Sequence, residues 1–151
     1  MLDIICREIR NYFDSNKPKL YGDFTITDGK ITDDGFYDNI QLNQYFYIEG
    51  SVFNDGVYKY TSQLTLTDET FNGTIGLMAI PKAFLDLVSD IEAWQKEYGA
   101  VDSYAMSPYN SESFGGYSYS KGSNGGAGTG GGSSNSWQSA FRSRLKQWRK
   151  I

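Results

Sequence analysis

The residues whose type and spacing could do chemistry are two acidic pairs, Asp33-Asp34 and Asp68-Glu69, a lone Cys6, and the tract Gly125-Gly126-Ala127-Gly128-Thr129-Gly130. Paired carboxylates can share acid and base roles or hold calcium. Neither pair has the alternating oxygen ligands closed by a glutamate that a calcium loop needs, and Asp33-Asp34-Gly35 reads as a solvated turn. The glycine tract has no strand before it and no Lys-Ser/Thr after it, so it lacks the context of a phosphate-binding loop. Cys6, between Ile5 and Ile9, suits a small buried hydrophobe more than a nucleophile, and one cysteine cannot form an internal disulfide. The sequence contains no histidine. That removes the commonest general base and the commonest nitrogen ligand for zinc, and with them any serine or cysteine nucleophile that depends on an imidazole. No residue set supports an enzyme, a cofactor or a metal.

Charge is distributed unevenly. All 18 acidic residues lie at or before Glu112, against eight basic ones, while the last 39 residues carry six basic residues and no acid. The basic tail is interleaved with Trp137, Phe141 and Trp148, a mixture able to contact phosphate and stack on bases. The acidic body opposes lasting nucleic-acid binding and suits passing contact, such as a channel lining. An acidic body with a basic tail also favours contacts between neighbouring subunits.

The elements that must position these residues follow from spacing. Leu2, Ile5, Ile9 and Tyr12 or Phe13 make one stripe of a short amphipathic helix between Leu2 and Phe13. A block rich in Tyr, Thr and Gly from Tyr21 to Ile80 reads as a small antiparallel sheet or partial barrel, with turn signals at Asp28-Gly29, Asp34-Gly35, Asp55-Gly56 and Asn72-Gly73. Tyr45 to Phe53 should pair with Val57 to Tyr60, and Leu64 to Thr67 with Thr74 to Ile80. From Pro81, the residues Phe84, Leu87, Val88, Ile91, Trp94 and Tyr98 predict a second helix that stops at Gly99. No stretch approaches the roughly 20 apolar residues of a membrane span, and Met1-Leu2-Asp3 lacks the start of a secretory signal.

The expected architecture is therefore α+β: a body over residues 1–99, an extended arm over 100–121, a Gly/Ser-rich linker over 122–136 and a basic-aromatic helix over 137–151. Seven of the eleven residues from Gly122 to Gly132 are glycine. Trp137, Phe141, Leu145 and Trp148 fall on one helix face, with Arg142, Arg144, Lys146 and Arg149 around them. A segment of that length is marginal as a helix in water, and the long tether favours docking on another subunit over folding back.

Three segments resemble proteins of the phage neck. Residues Ile48 to Tyr58, containing Gly50-Ser51-Val52-Phe53-Asn54-Asp55-Gly56, resemble hairpins of tail- and neck-region proteins. Ser111-Glu112-Ser113-Phe114-Gly115-Gly116-Tyr117-Ser118-Tyr119 looks like the segment that follows the helices of head-to-tail adaptors, with Gly116 in place of an acidic residue. Phe141 to Lys150 is similar to the basic-aromatic helix that closes many adaptor chains. The sheet-like body departs from the mostly helical body of many adaptors.

The resemblance implies a non-enzymatic virion protein, assembled in the host cytoplasm, that forms a homo-oligomeric ring, usually of twelve subunits, under the portal protein. Genomic DNA would pass through its channel without specific binding. The implied partner-binding residues are Ser113, Phe114, Gly115, Tyr117, Tyr119, Trp137, Phe141, Arg142, Arg144, Leu145, Trp148 and Arg149. A stopper or tail-completion protein of the same neck is the nearer alternative. A carbohydrate- or surface-binding module is the more distant one, because exposed Tyr and Trp on a small sheet suit sugar stacking.

Overall fold

The computed structural model describes residues 1–99, 111–114, 117–120 and 136–151. The fold is α+β, with helices and a five-stranded antiparallel sheet curled into a half-barrel. The chain divides into two compact units, residues 2–81 with 150–151, and residues 82–149 with Met1. This boundary falls before the second long helix, whereas the sequence suggests the first break after Gly99.

The sheet unit begins with α1, Leu2–Ile9, which buries Ile5, Cys6 and Ile9. The stripe extends to Phe13 in sequence, but the helix stops at Ile9 because Arg10 turns left-handed (φ 55°) and the Asn11 N–H donates to the Cys6 carbonyl. Asn11 Oδ1 then accepts from the Phe13 N–H, closing a local turn instead of another helical one.

Strands β1 (Leu20–Thr27), β2 (Lys30–Ile31), β3 (Tyr45–Glu49), β4 (Gly56–Lys59) and β5 (Glu69–Leu77) lie in the order β2-β1-β5-β3-β4. In β1 the burial alternates, with Phe24 and Ile26 inward and Asp23, Thr25 and Thr27 outward, as expected of a strand with one wet face. Asp28-Gly29 forms the expected two-residue turn between β1 and β2, with positive φ at both residues. The Tyr45 hairpin also forms: Tyr45 pairs with Lys59 and Ile48 with Gly56. Its connection is longer than a two-residue turn, since residues 50–55 loop out and Gly56 starts the second strand.

Two turn signals do other work. Asn72-Gly73 is no turn, and Leu64 to Thr67 is no strand. Instead β5 runs straight through Asn72-Gly73 as the central strand, pairing Phe71 with Phe24, Asn72 with Asp23 and Gly73 with Gly22 on one side, and Ile75 with Ile48 on the other. Gly73 is required by crowding: a Cβ there would overlap the Glu49 carbonyl. Gly76 likewise leaves room for the Tyr47 ring. Asp34-Gly35 opens α2, Asp34–Asn39, with Asp33 as its N-cap accepting from the Phe36 N–H at 3.0 Å.

The core of this unit gathers Phe24, Ile26, Ile31, Phe36, Phe46, Ile48, Leu66, Phe71, Ile75 and Leu77. Edge-on contacts of Phe36 with Phe46 (5.0 Å) and Tyr60 (5.9 Å) extend it, each such pair adding about 1 kcal/mol to plain burial. Tyr47 faces away from that core, its ring tilted by 31° against Tyr12 at 4.7 Å. At the chain's end the Lys150 N–H donates to the Ile9 carbonyl within the same unit.

The second unit is built on α3, Lys82–Tyr98, which starts directly after Pro81 and buries all six residues of the predicted stripe. Strands β6 (Ser111–Phe114) and β7 (Tyr117–Ser120) form a two-stranded hairpin inside the expected arm. The terminal helix forms in two pieces, α4 (Trp137–Ala140) and α5 (Arg142–Lys146), meeting at Phe141. Among the described residues no helix is long and apolar enough to cross a membrane.

Candidate partner-binding surfaces

Three of the four paired carboxylates hold the fold together. Asp33 caps α2 as above. Asp68 accepts from the N–H groups of Asp28 (3.1 Å) and Gly29 (2.8 Å), bracing the β1–β2 turn. Glu69 anchors the 50–55 loop: it accepts from the Ser51 hydroxyl, from Asn54 Nδ2 at 2.6 Å and from the Val52 N–H at 3.3 Å. Desolvation pushes the Glu69 carboxyl up, but the Ser51, Asn54 and backbone donors outweigh it and hold the group below its ordinary value. Among the described residues no group of three or more acidic or cysteine side chains is placed to hold a metal ion. Cys6 is buried, and desolvation, aided by the nearby Asp3 charge, pushes its thiol up to about 12, so it is no thiolate near neutral pH.

The 50–55 loop is held from several directions. Asn54, only 2% exposed, exchanges two hydrogen bonds with the Thr67 backbone, donating from Nδ2 at 2.9 Å and accepting at Oδ1 at 2.8 Å. Its own N–H donates to Ser51 Oγ, and its carbonyl accepts from the Tyr58 hydroxyl. The Gly50 N–H donates to Asp55, whose other oxygen pairs with Arg7 at 3.0 Å. At the tip of this fixed loop stand Val52 and Phe53, 81% and 67% exposed. The sequence reading placed both inside a strand. The bracketing glycines Gly50 and Gly56 were the signal for a loop.

A second feature of the sheet unit is an open cavity of about 540 Å³, walled by Ile31, Phe36, Tyr37, Tyr60, Leu64 and Leu66. Lys30 supplies its one charged lining residue. No motif marked it, because its walls come from β2, α2 and the chain after β4.

In the helical unit, the terminal helix lies antiparallel to α3. Phe141 meets Trp94 edge-on at 6.2 Å, Arg144 pairs with Asp90 at 2.6 Å, and Trp148 meets Phe84 at 5.5 Å. Trp137, Phe141 and Leu145 are buried. In the single chain the apolar face expected to dock on a partner is therefore packed against the chain's own α3, leaving Arg142 and Arg149 exposed and Arg144 and Trp148 half-buried. Among the arm residues, the hairpin register sets Phe114 opposite Tyr117, Ser113 opposite Ser118, and Tyr119 opposite Glu112. Gly115 lies outside the described residues.

No protein-family profile, curated protein or solved structure matches this chain.

Proposed function

We propose that this chain is a structural subunit of a phage neck, a ring-forming head-to-tail connector that works as a fastener and performs no catalysis. The observation that carries the reading is the hairpin Ser111–Phe114 and Tyr117–Ser120. Among the described residues it pairs with no other strand, and in sequence it lies between α3 and the terminal helix. An isolated two-stranded hairpin is marginal in water, and its free edges are ready to pair with another chain. The packing of the terminal helix on α3 gives that helix a new role: it fastens the far end of the arm, and the arm carries the contact to the portal. The acidic body and the basic residues of the terminal segment supply complementary charge between copies.

The test is assembly. The purified chain should form rings, alone or on the portal protein of the same virus, seen by native mass spectrometry and electron microscopy. Deleting residues 111–120 should abolish portal binding while α3 and the terminal helix stay folded by circular dichroism. A stopper or tail-completion protein of the same neck would bind tail proteins and leave the portal free.

A surface-binding module is the second reading, favoured by the terminal helix lying on its own chain and by the aromatic walls of the cavity. A monomer that binds immobilised glycans and ignores the portal would establish it in place of the connector.

A further inference from the structure

The apolar face of α3 is covered by the chain's own terminal helix, so the structure shows what fits it. We infer that this occupant is exchanged between copies, the terminal helix of one copy seating on α3 of the next. This deepens the connector reading and rests on it for the use of the exchange in a ring.

The seat is specific to this segment. Phe84 receives Trp148 at 5.5 Å, Trp94 receives Phe141 at 6.2 Å, and Asp90 receives Arg144 at 2.6 Å. Charge selects the same occupant. The helix α3 carries Asp86, Asp90, Glu92 and Glu97 against Lys82 and Lys96, whereas residues 136–151 carry Arg142, Arg144, Lys146, Arg149 and Lys150 and no acid. Two terminal helices therefore repel each other, and each is drawn to an α3.

The length of the connection brings a neighbour's α3 within reach. Antiparallel order puts the start of the terminal helix beside the end of α3, where a loop of about two to eight residues would join them. Residues 99–136 stand between the two helices instead. A chain of that length reaches roughly 30 Å, about the width of a small domain. Swapped and unswapped clasps bury the same side chains and make the same ion pair, so the choice between them turns on concentration. Such a tether presents its own helix at an effective concentration of at most about 1 mM. Copies held side by side in a ring present their neighbours' α3 at a comparable one, and exchange then ties each subunit to the next without any new surface.

The experiment uses the full chain and two charge-reversed variants, Asp90→Arg and Arg144→Asp. Both side chains are partly exposed, so the core is untouched, and circular dichroism of each variant should match the parent. Alone, either variant sets like charges against each other in its clasp. Together they are complementary: the α3 of Asp90→Arg fits the terminal helix of Arg144→Asp, and the reciprocal clasp is the parental one. The variants are mixed, unfolded in urea and refolded together at about 1 mM, the concentration at which a neighbour competes with the tether. Native mass spectrometry then separates the mixed dimer from the two homodimers by mass. Mixed dimers should exceed either homodimer about tenfold, since both clasps of the mixed dimer gain an ion pair that both clasps of a homodimer lack. Monomers alone overturn the inference, as do dimers that combine the variants at random. Portal binding by the parent chain reports separately on the connector reading, which stands if the portal is bound without exchange and falls if exchange occurs and the portal is ignored.

Discussion

Asn54 shows how much of this fold rests on single polar side chains. Asn54→Ala takes both side-chain hydrogen bonds from the Thr67 backbone and one of several donors from the Glu69 carboxylate, and it should cost about 2 kcal/mol in urea unfolding. Protonation of Glu69 acts on the same loop. Its folded value is depressed, so the stability it contributes is complete above its ordinary value of 4.5 and is lost as pH falls through the lower folded value. Comparison of urea midpoints near neutral pH and below pH 4 should show the loss, reduced in Glu69→Gln. At the alkaline end the sign reverses. Burial raises both Cys6 and Tyr47 to about 12, from 9.0 and 10.0, so the unfolded chain releases these protons first. Stability should fall as pH rises from about 9 toward 12, and Cys6 should resist thiol reagents at pH 8 until the protein is denatured.

At the scale of elements, α3 and the terminal helix form one packing unit whose strength lies in its aromatic contacts more than its ion pair. Trp94→Ala removes a buried ring that meets Phe141 and should cost about 3–5 kcal/mol. Arg144→Ala removes a partly exposed pair with Asp90 and should cost no more than about 1 kcal/mol. Thermal unfolding of the two variants ranks them. Elements with long-period patterns were the most legible in the sequence: the stripe from Phe84 to Tyr98 reappears residue for residue as the buried face of α3. Turn dipeptides were legible only where the local backbone had no competitor. Asp28-Gly29 turns because two short strands meet there, whereas Asn72-Gly73 stays extended because β5 gains partners on both sides by passing through it. The Val52–Phe53 tip was hidden for a related reason, since its β-prone side chains continue the strand pattern and only the network from Ser51, Asn54 and Glu69 breaks it.

At the scale of the whole chain, the α+β class was readable from helical stripes and turn signals, while the cavity was not. Its walls are far apart in sequence and share no period. The fate of the terminal helix also depended on something periodicity omits. Trp137, Phe141, Leu145 and Trp148 announce an apolar face, but which surface receives it is decided by Phe84, Asp90 and Trp94 on another helix.

The antiparallel clasp of the terminal helix on α3 has one more consequence. Lys121 is the one tryptic site between Lys96 and Arg142, so a chain opened there alone falls into two pieces, each carrying one side of the clasp. The covalent link is then dispensable: the short piece should co-elute with the long one under native conditions and part from it in urea. Such a protein could be supplied as two complementing fragments, with its C-terminal segment exchanged or labelled without rebuilding the rest.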